Sequence, residues 1–475
     1  MIFAHVICRL KTARVTRFAA LFAALLAALL AAAPAAPPRA QPRVAADAGG
    51  AGARARTAAS LYEEAAQYTR RKYEQLERDG YGYSAKLAAE VEAEARALAA
   101  RHAGELGARA AALTPGDKFH LGRLQSLAGH SARAVETMRA LLLDESQTAA
   151  RPEWERAARF VVAYELARTD ALDAAEAALA DYLAAPPPPS SSSSSSPALA
   201  HEERFKLEME LARAGRARMQ IARAAEHARA AFEAARLLHA AGGLNAATRD
   251  EIFYRAAQSL SDSLLELKKT DEAVAVLQEV RRLAVIFPSA DLHRRATVLF
   301  GRIVPAVGLL ARADDPALRS APEIEVRDWV EQKPTTLAQE RGRVVLLDFW
   351  ATWCVPCHAA LPHMREWQRR FKDRGLTVIA FTQYTTIEGG RPVRTKREQD
   401  ELRDFRRARR LPFGFAVADT TATAALYNVS TIPAAVLIDR RGRVRYLNVG
   451  ANDDDLKELE HMIEQLLDEP AGEAK

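Results

Sequence analysis

The stretch Trp350-Ala351-Thr352-Trp353-Cys354-Val355-Pro356-Cys357 decides how the C-terminal part of this chain is read, because an apolar, strand-like run at 344–349 leads into it and a helical pattern leads out. Two thiols separated by two residues can close into a small disulfide. With Cys354 at a helix N-terminus, unpaired backbone amides and the helix dipole stabilise a thiolate, so Cys354 is the candidate nucleophile. Pro356 suits the first helical turn, where a missing N–H costs nothing. Cys357 then lies below the exposed first sulfur as the candidate resolving thiol. Asp348 stands six residues before Cys354 in an otherwise apolar strand, where a lone carboxylate is expensive to bury without purpose.

The third cysteine of the chain, Cys8, falls in a segment that reads as removable. Arg9, Lys11, Arg14 and Arg17 form a positive flank, residues 18–33 an uncharged Ala/Leu run, and Ala33-Pro34-Ala35 or Pro38-Arg39-Ala40 suits cleavage. The expectation is a signal peptide over residues 1–40, a flexible 41–56, and an exported, periplasmic protein. The apolar run is shorter than the roughly 20 residues a spanning helix needs, which favours cleavage over retention as an uncleaved membrane anchor.

At 475 residues the chain is too long for one core. Residues 57–312 are rich in Ala, Leu, Arg and Glu, whereas strand-like Val/Ile/Phe segments alternate with helical ones beyond Ala321. The expected architecture is multidomain: an N-terminal all-α, solenoid-like helical-repeat region over 57–185 and 198–312, then an α/β domain over 316–468. Pro186, Pro187, Pro188 and Pro189 followed by the serines of 190–196 and Pro197 read as a linker, 186–197, and 469–475 as a frayed tail. A net charge of +6, with bases and acids interleaved, does not indicate nucleic-acid binding.

Three helical stretches pair across small or polar turns: 124–142 at Gly129-His130 before Ala134, 164–183 at Thr169-Asp170 before Ala174, and 253–280 at Thr270-Asp271 before Ala273. They resemble degenerate tetratricopeptide repeats, although their spacing and aromatic pattern depart from that family. Such an array presents a surface to a protein partner or serves as a spacer. Tyr62, Tyr68, Tyr73, Tyr81 and Tyr83 cluster near its start, with core packing as their default reading. The histidines lack metal-ligand spacing, so no metal and no cofactor is expected.

From about residue 322 to 467 the chain resembles thioredoxin-fold proteins of the TlpA/ResA type, exported thiol-disulfide oxidoreductases. The motif strand carries the likeness, with a second parallel strand at 376–383, Thr431-Ile432-Pro433 before a hairpin around Arg441-Gly442, and a last helix at 453–467. The resemblance also implies a short hairpin over 322–343 before the central strand. It implies a cis Ile432-Pro433 bond, with Trp353, Pro356, Ile432 and Pro433 lining the substrate groove. Thioredoxin carries an aspartate matching Asp348, which implies proton exchange with Cys357, while the acid often found near position 360 is replaced by Ala360. Re-reduction then falls to a membrane electron-donor protein, and substrates would be protein disulfides or thiols, apocytochrome c among them.

Cys354-Val355-Pro356-Cys357-His358 also satisfies the attachment signature for c-type haem, which would consume both sulfurs. The flanking strand and Thr431-Ile432-Pro433 favour disulfide exchange. Two function classes stand: a disulfide reductase, and a partner-binding helical scaffold with an accessory redox domain. Residues 384–411 carry an excess of Arg and Lys, read by default as a solvated helix and otherwise as a docking surface for an acidic partner or anionic lipid.

Overall fold

The computed structural model describes residues 56–79, 84–109, 112–144, 151–185, 197–303, 311–388 and 391–470. The expected signal segment, the flexible 41–55, Tyr81, Tyr83, linker residues 186–196 and the tail beyond 470 lie outside the described residues. The chain divides into two compact units, residues 1–219 and 220–475.

Among its described residues the first unit holds seven helices: α1 (Ala58–Arg78), α2 (Ala85–Gly107), α3 (Pro115–Leu127), α4 (Ser131–Leu142), α5 (Pro152–Arg168), α6 (Leu172–Ala184) and α7 (Pro197–Ala217). Successive helices pack on one another, and Ala134, Ala158, Ala167 and Ala175 are fully buried at the crossings. At Gly122 a Cβ would lie 2.8 Å from the Met138 methyl, so a larger residue there would make the Met138 side chain shift. The turn at Gly129 takes φ 78°, and Asp170, also left-handed, turns between α5 and α6.

The second unit opens with four more helices: α8 (Ile221–Ala240), α9 (Ala246–Glu266), α10 (Thr270–Ile286) and α11 (Ala290–Phe300). The α9–α10 turn falls at Leu267, Lys268 and Lys269, with Lys268 left-handed, so Thr270 and Asp271 belong to the first turn of α10 rather than to the connection.

A six-stranded sheet follows, comprising β1 (Asp328–Val330), β2 (Val344–Phe349), β3 (Leu376–Gln383), β6 (Phe415–Ala418), β7 (Ala434–Ile438) and β8 (Val444–Val449) in the order β1-β6-β3-β2-β7-β8. Between them lie α12 (Val355–Phe371), the two-residue strands β4 (Ile387–Glu388) and β5 (Arg391–Pro392), α13 (Lys396–Arg409), α14 (Ala422–Leu426) and the closing α15 (Asp453–Asp468). All six residues of β2 are buried, as expected for a strand covered on both faces. It pairs parallel with β3 and antiparallel with β7. A central parallel strand leading to α12, the crossover to β3, a C-terminal antiparallel hairpin and a last helix constitute the thioredoxin fold.

The short hairpin expected over 322–343 does not form. Both edges of β2 are occupied, so β1 pairs instead with β6 at the far side of the sheet, Trp329 opposite Ala416. Only glycine fits at position 414 there, because a Cβ would stand 2.2 Å from the Val330 carbonyl oxygen.

The helices α8–α11 belong to the same compact unit as the sheet, with α10 and α11 packed on β8. The Ala311 backbone is bound to this edge twice: its N–H donates to the Arg445 carbonyl at 3.0 Å, and its carbonyl accepts from the Arg445 side-chain Nε at 2.5 Å. Covering an edge in this way removes an open template for further strand pairing. A second junction lies where α11 begins. Ser289 caps the helix by accepting from Leu292 N–H, while the N–H groups of Ala290 and Asp291 donate to the Tyr427 and Asn428 carbonyls at 3.0 and 3.2 Å. Beneath them the buried Asp250 carboxylate accepts from Arg249 Nε at 2.8 Å, from Ser289 Oγ at 2.5 Å and from Asn428 Nδ2. First-turn amides that a helix cannot satisfy internally are thus satisfied by the loop leading to Pro433.

Asp250→Ala is expected to lower the stability of this unit by about 2–4 kcal/mol, since it strands a guanidinium, a hydroxyl and an amide in the interior. Urea unfolding followed by tryptophan fluorescence measures it; a change below about 0.5 kcal/mol would remove the network from any anchoring role.

Candidate active site

Strand β2 ends at Phe349, and the chain turns through 350–353 into α12, leaving Cys354 as the N-cap residue. Its Sγ accepts from the Cys357 N–H at 3.3 Å. Cys354 and Cys357 form a disulfide with Cα atoms 5.3 Å apart. A sulfur in this place meets an orphan amide and the positive end of the helix dipole, the environment that favours thiolate over thiol once the bond is reduced. Both sulfurs belong to the buried core, yet the residues on either side of Cys354 stand out, Trp353 66% and Val355 77% exposed. Pro356 is exposed in the first turn of α12.

The Ile432-Pro433 peptide bond is cis. Ladder register brings this loop to the dithiol: Ala434 pairs with Phe349, so Pro433 and Trp350 are the next residues along their strands. Pro433 is buried and Ile432 packs against the cluster containing both cysteines. Trp353, Pro356, Ile432 and Pro433 therefore border the loops around one sulfur pair.

Asp348 shares a strand face with Leu346 and Trp350, and both of those belong to the core cluster of Cys354 and Cys357. Its cross-strand neighbours are Ala380 and Ala435, small residues that offer no polar partner. Burial alone pushes the Asp348 carboxyl up to about 7. A carboxyl poised there can hold or release a proton near neutral pH on the α12 face of the sheet.

His358, one turn beyond Cys354, has both ring nitrogens engaged. Nε2–H donates to the Thr352 carbonyl at 2.9 Å, and Nδ1 accepts from Arg409 Nη2 at 3.5 Å. A carbonyl only accepts and a guanidinium only donates, so the Nε2–H tautomer makes both bonds. Phe405 was not among the residues expected near the dithiol. Its ring lies 5.2 Å from that of Trp350, 5.5 Å from that of His358 and 6.4 Å from that of Phe415. The signal for it is the i, i+3 spacing of Leu402 and Phe405 within an otherwise charged stretch. Among the described residues no group of three or more His, Cys, Asp or Glu is placed to hold a metal.

The Asp348 environment has a consequence for stability. The folded state keeps this proton up to about pH 7, while the unfolded chain releases it near the ordinary carboxylate value of 3.8. The native state thus binds more protons across that window, and stability falls as pH rises through it, by about 1.4 kcal/mol per pH unit and on the order of 4 kcal/mol in all. Asp348→Asn is expected to flatten that decline and to be the more stable form at pH 8. Urea titrations of the oxidised chain between pH 4 and 8 test this; equal slopes for the two proteins would contradict it.

Residues 318–447 match the AhpC/TSA family. Protein DipZ of Mycobacterium tuberculosis is 31% identical over 154 residues, 32% of this chain and 21% of that protein. The thiol-disulfide oxidoreductase ResA of Bacillus cereus is 30% identical over 126 residues, 26% of this chain and 65% of ResA. The chain thus spans less than two thirds of the length of both relatives. A crystal structure of a thiol:disulfide interchange protein of the thioredoxin family from Chlorobium tepidum is 20% identical, covers 32% of this chain and 97% of its own, and superposes with a TM-score of 0.27. The C-terminal domain of this chain is a thioredoxin-fold domain of the AhpC/TSA type, and its relatives include proteins named thiol-disulfide oxidoreductases.

Proposed function

We propose that this protein is an exported thiol-disulfide oxidoreductase that reduces protein disulfides through Cys354 and Cys357. The observation that carries the reading is the placement of Cys354 as the N-cap of α12, its sulfur on the Cys357 amide and exposed apolar residues on either side. In the reduced protein the Cys354 thiolate attacks a substrate disulfide, forming a mixed disulfide and expelling one substrate thiolate. Cys357, losing its proton to the Asp348 carboxylate, then attacks Cys354 Sγ and releases the second substrate thiol. The products are two substrate thiols and the closed 354–357 disulfide, so each turnover consumes two electrons. A membrane electron-donor protein is the proposed source of their replacement. Trp353, Pro356, Ile432 and Pro433 are the proposed groove for the extended substrate segment.

Export rests on the basic flank and apolar run within residues 1–40. No helix among the described residues is long and apolar enough to cross a membrane. The tetratricopeptide-like helix pairs of the first unit are proposed to bind a protein partner. A cleft of about 690 Å³ there, lined by Val135, Arg139, Leu143 and Glu165 among others, supports that role. Against haem attachment stand the strand-borne motif and the engagement of both ring nitrogens of His358.

The test is the reduction potential of the full chain in glutathione buffers. A value near or below about −270 mV is expected, whereas one near −120 mV would make the protein a disulfide donor. Cys357→Ser should accumulate a mixed disulfide with substrate and Cys354→Ser should not. A covalent haem absorbance in protein purified from an exporting host would overturn the exchange chemistry.

A further inference from the structure

The basic stretch near the dithiol forms α13, whose charged face is solvated and whose apolar face is fixed to the domain. Phe405 fastens α13 to the active site by packing against Trp350, His358 and Phe415, and Leu402 is buried one turn earlier on α13. Most cations of the helix are neutralised where they stand: Arg397 by Glu401, Arg403 by Asp400 and Glu331, Arg406 by Glu331, and Arg407 by Asp404. Apart from Lys396 in the first turn, the exceptions lie at its C-terminal end, beside α12. Arg409 lies with Cζ 5.4 Å from the Phe405 ring and Nη2 on His358. Arg365 of α12 donates to the Arg409 carbonyl at 3.3 Å, and Arg410 ends α13 in a left-handed conformation, exposed. Among the described residues none of these three has a carboxylate within ion-pair distance. Glu366 follows Arg365 on α12, about 100° further round that helix. His358 lies in the first turn of α12, which Cys354 caps, so the guanidinium it contacts lies near the N-terminal end of that helix.

We propose that Arg365, Arg409 and Arg410 form a cationic rim that selects protein disulfides flanked by acidic residues, a substrate class for the reductase activity proposed above and resting on that reading. Arginine suits the task, since its planar fork pairs with a carboxylate through two parallel bonds and its charge does not titrate. A flexible acidic segment lying past Pro433 can touch the rim while its cystine reaches Cys354. A flat anionic membrane covering the same rim would also cover Trp353 and Cys354 and shut out protein disulfides, so the rim's occupant is a polypeptide. The chemistry is otherwise unchanged: two electrons pass from the 354 and 357 thiols to the substrate disulfide, yielding two substrate thiols.

The experiment uses the full chain, reduced with dithiothreitol and desalted, with three substrates: a disulfide-bridged peptide with Asp/Glu flanks, the same peptide with Lys flanks, and neutral 2-hydroxyethyl disulfide. The readout is the second-order rate constant for the single oxidation of the reduced chain by each peptide, divided by that for the neutral disulfide, so any effect of Arg409 on the dithiol's potential divides out. At low salt the acidic peptide is expected to be favoured over the Lys peptide by on the order of tenfold, the preference shrinking as about 0.5 M salt screens it. Arg409→Gln with Arg410→Gln should bring the two peptides together, and the salt series on the parent protein tests the idea without any variant. Equal rate constants for both peptides, with the neutral disulfide still reduced, would overturn the rim and leave the reductase standing. Failure on the neutral disulfide would overturn the reductase reading itself. Equal peptides together with Arg409- and Arg410-dependent co-sedimentation on phosphatidylglycerol vesicles would replace the peptide with a lipid surface.

Discussion

The structure of the redox unit depends on the double pairing of β2. Because β3 and β7 hydrogen-bond its two edges and both its faces are buried, the strand has no freedom of register. Everything of chemical interest is measured from it. Its exit delivers Cys354 to the first turn of α12, its fifth residue is Asp348, and its ladder with β7 draws Pro433 level with Trp350. A slip of one residue would turn Asp348 to the opposite face of the sheet and move the cis-proline loop away from the sulfur it borders.

The same constraint explains why the unit extends beyond the sheet. The sheet ends in β1 on one side and β8 on the other, and the helical segment covers β8 through α10, α11 and the backbone around Ala311. The start of α11 is tied to the loop running from Tyr427 to Ser430, three residues from the cis bond, through Asp250, Ser289 and Asn428. Rigid support of that kind is what a groove bordering a nucleophile needs, since displacement by about 1 Å is enough to spoil an attack geometry.

Charge in this unit is distributed with a similar economy. Arg445, buried, is answered by Asp439 and Glu469, and the arginines along α13 are answered by acids on the same helix or by Glu331. Three cations without such an answer, Arg365, Arg409 and Arg410, meet at the C-terminal end of α13, where Arg409 reaches His358. Asp348 is the counterpart in the interior, a carboxyl kept near neutrality by burial alone.

The amino-acid sequence by itself determined the elements. Alternating strand and helix composition after Ala321, the motif at 350–357 and the turn residues placed β2, α12, β3, β7, β8 and α15 to within a residue or two, because those signals are local: periodicity, caps and a proline in the first turn. Cys354 and Cys357 were legible for the same reason. What only the tertiary structure decided was which elements meet. No local pattern says that β1 crosses to β6 when β2 has no free edge, that α8–α11 close over β8, or that Phe405 carries an arginine to His358 across 51 residues. Those contacts join residues distant in the chain, and they are set by the competition for buried surface and open strand edges, which is settled only when the whole unit is packed.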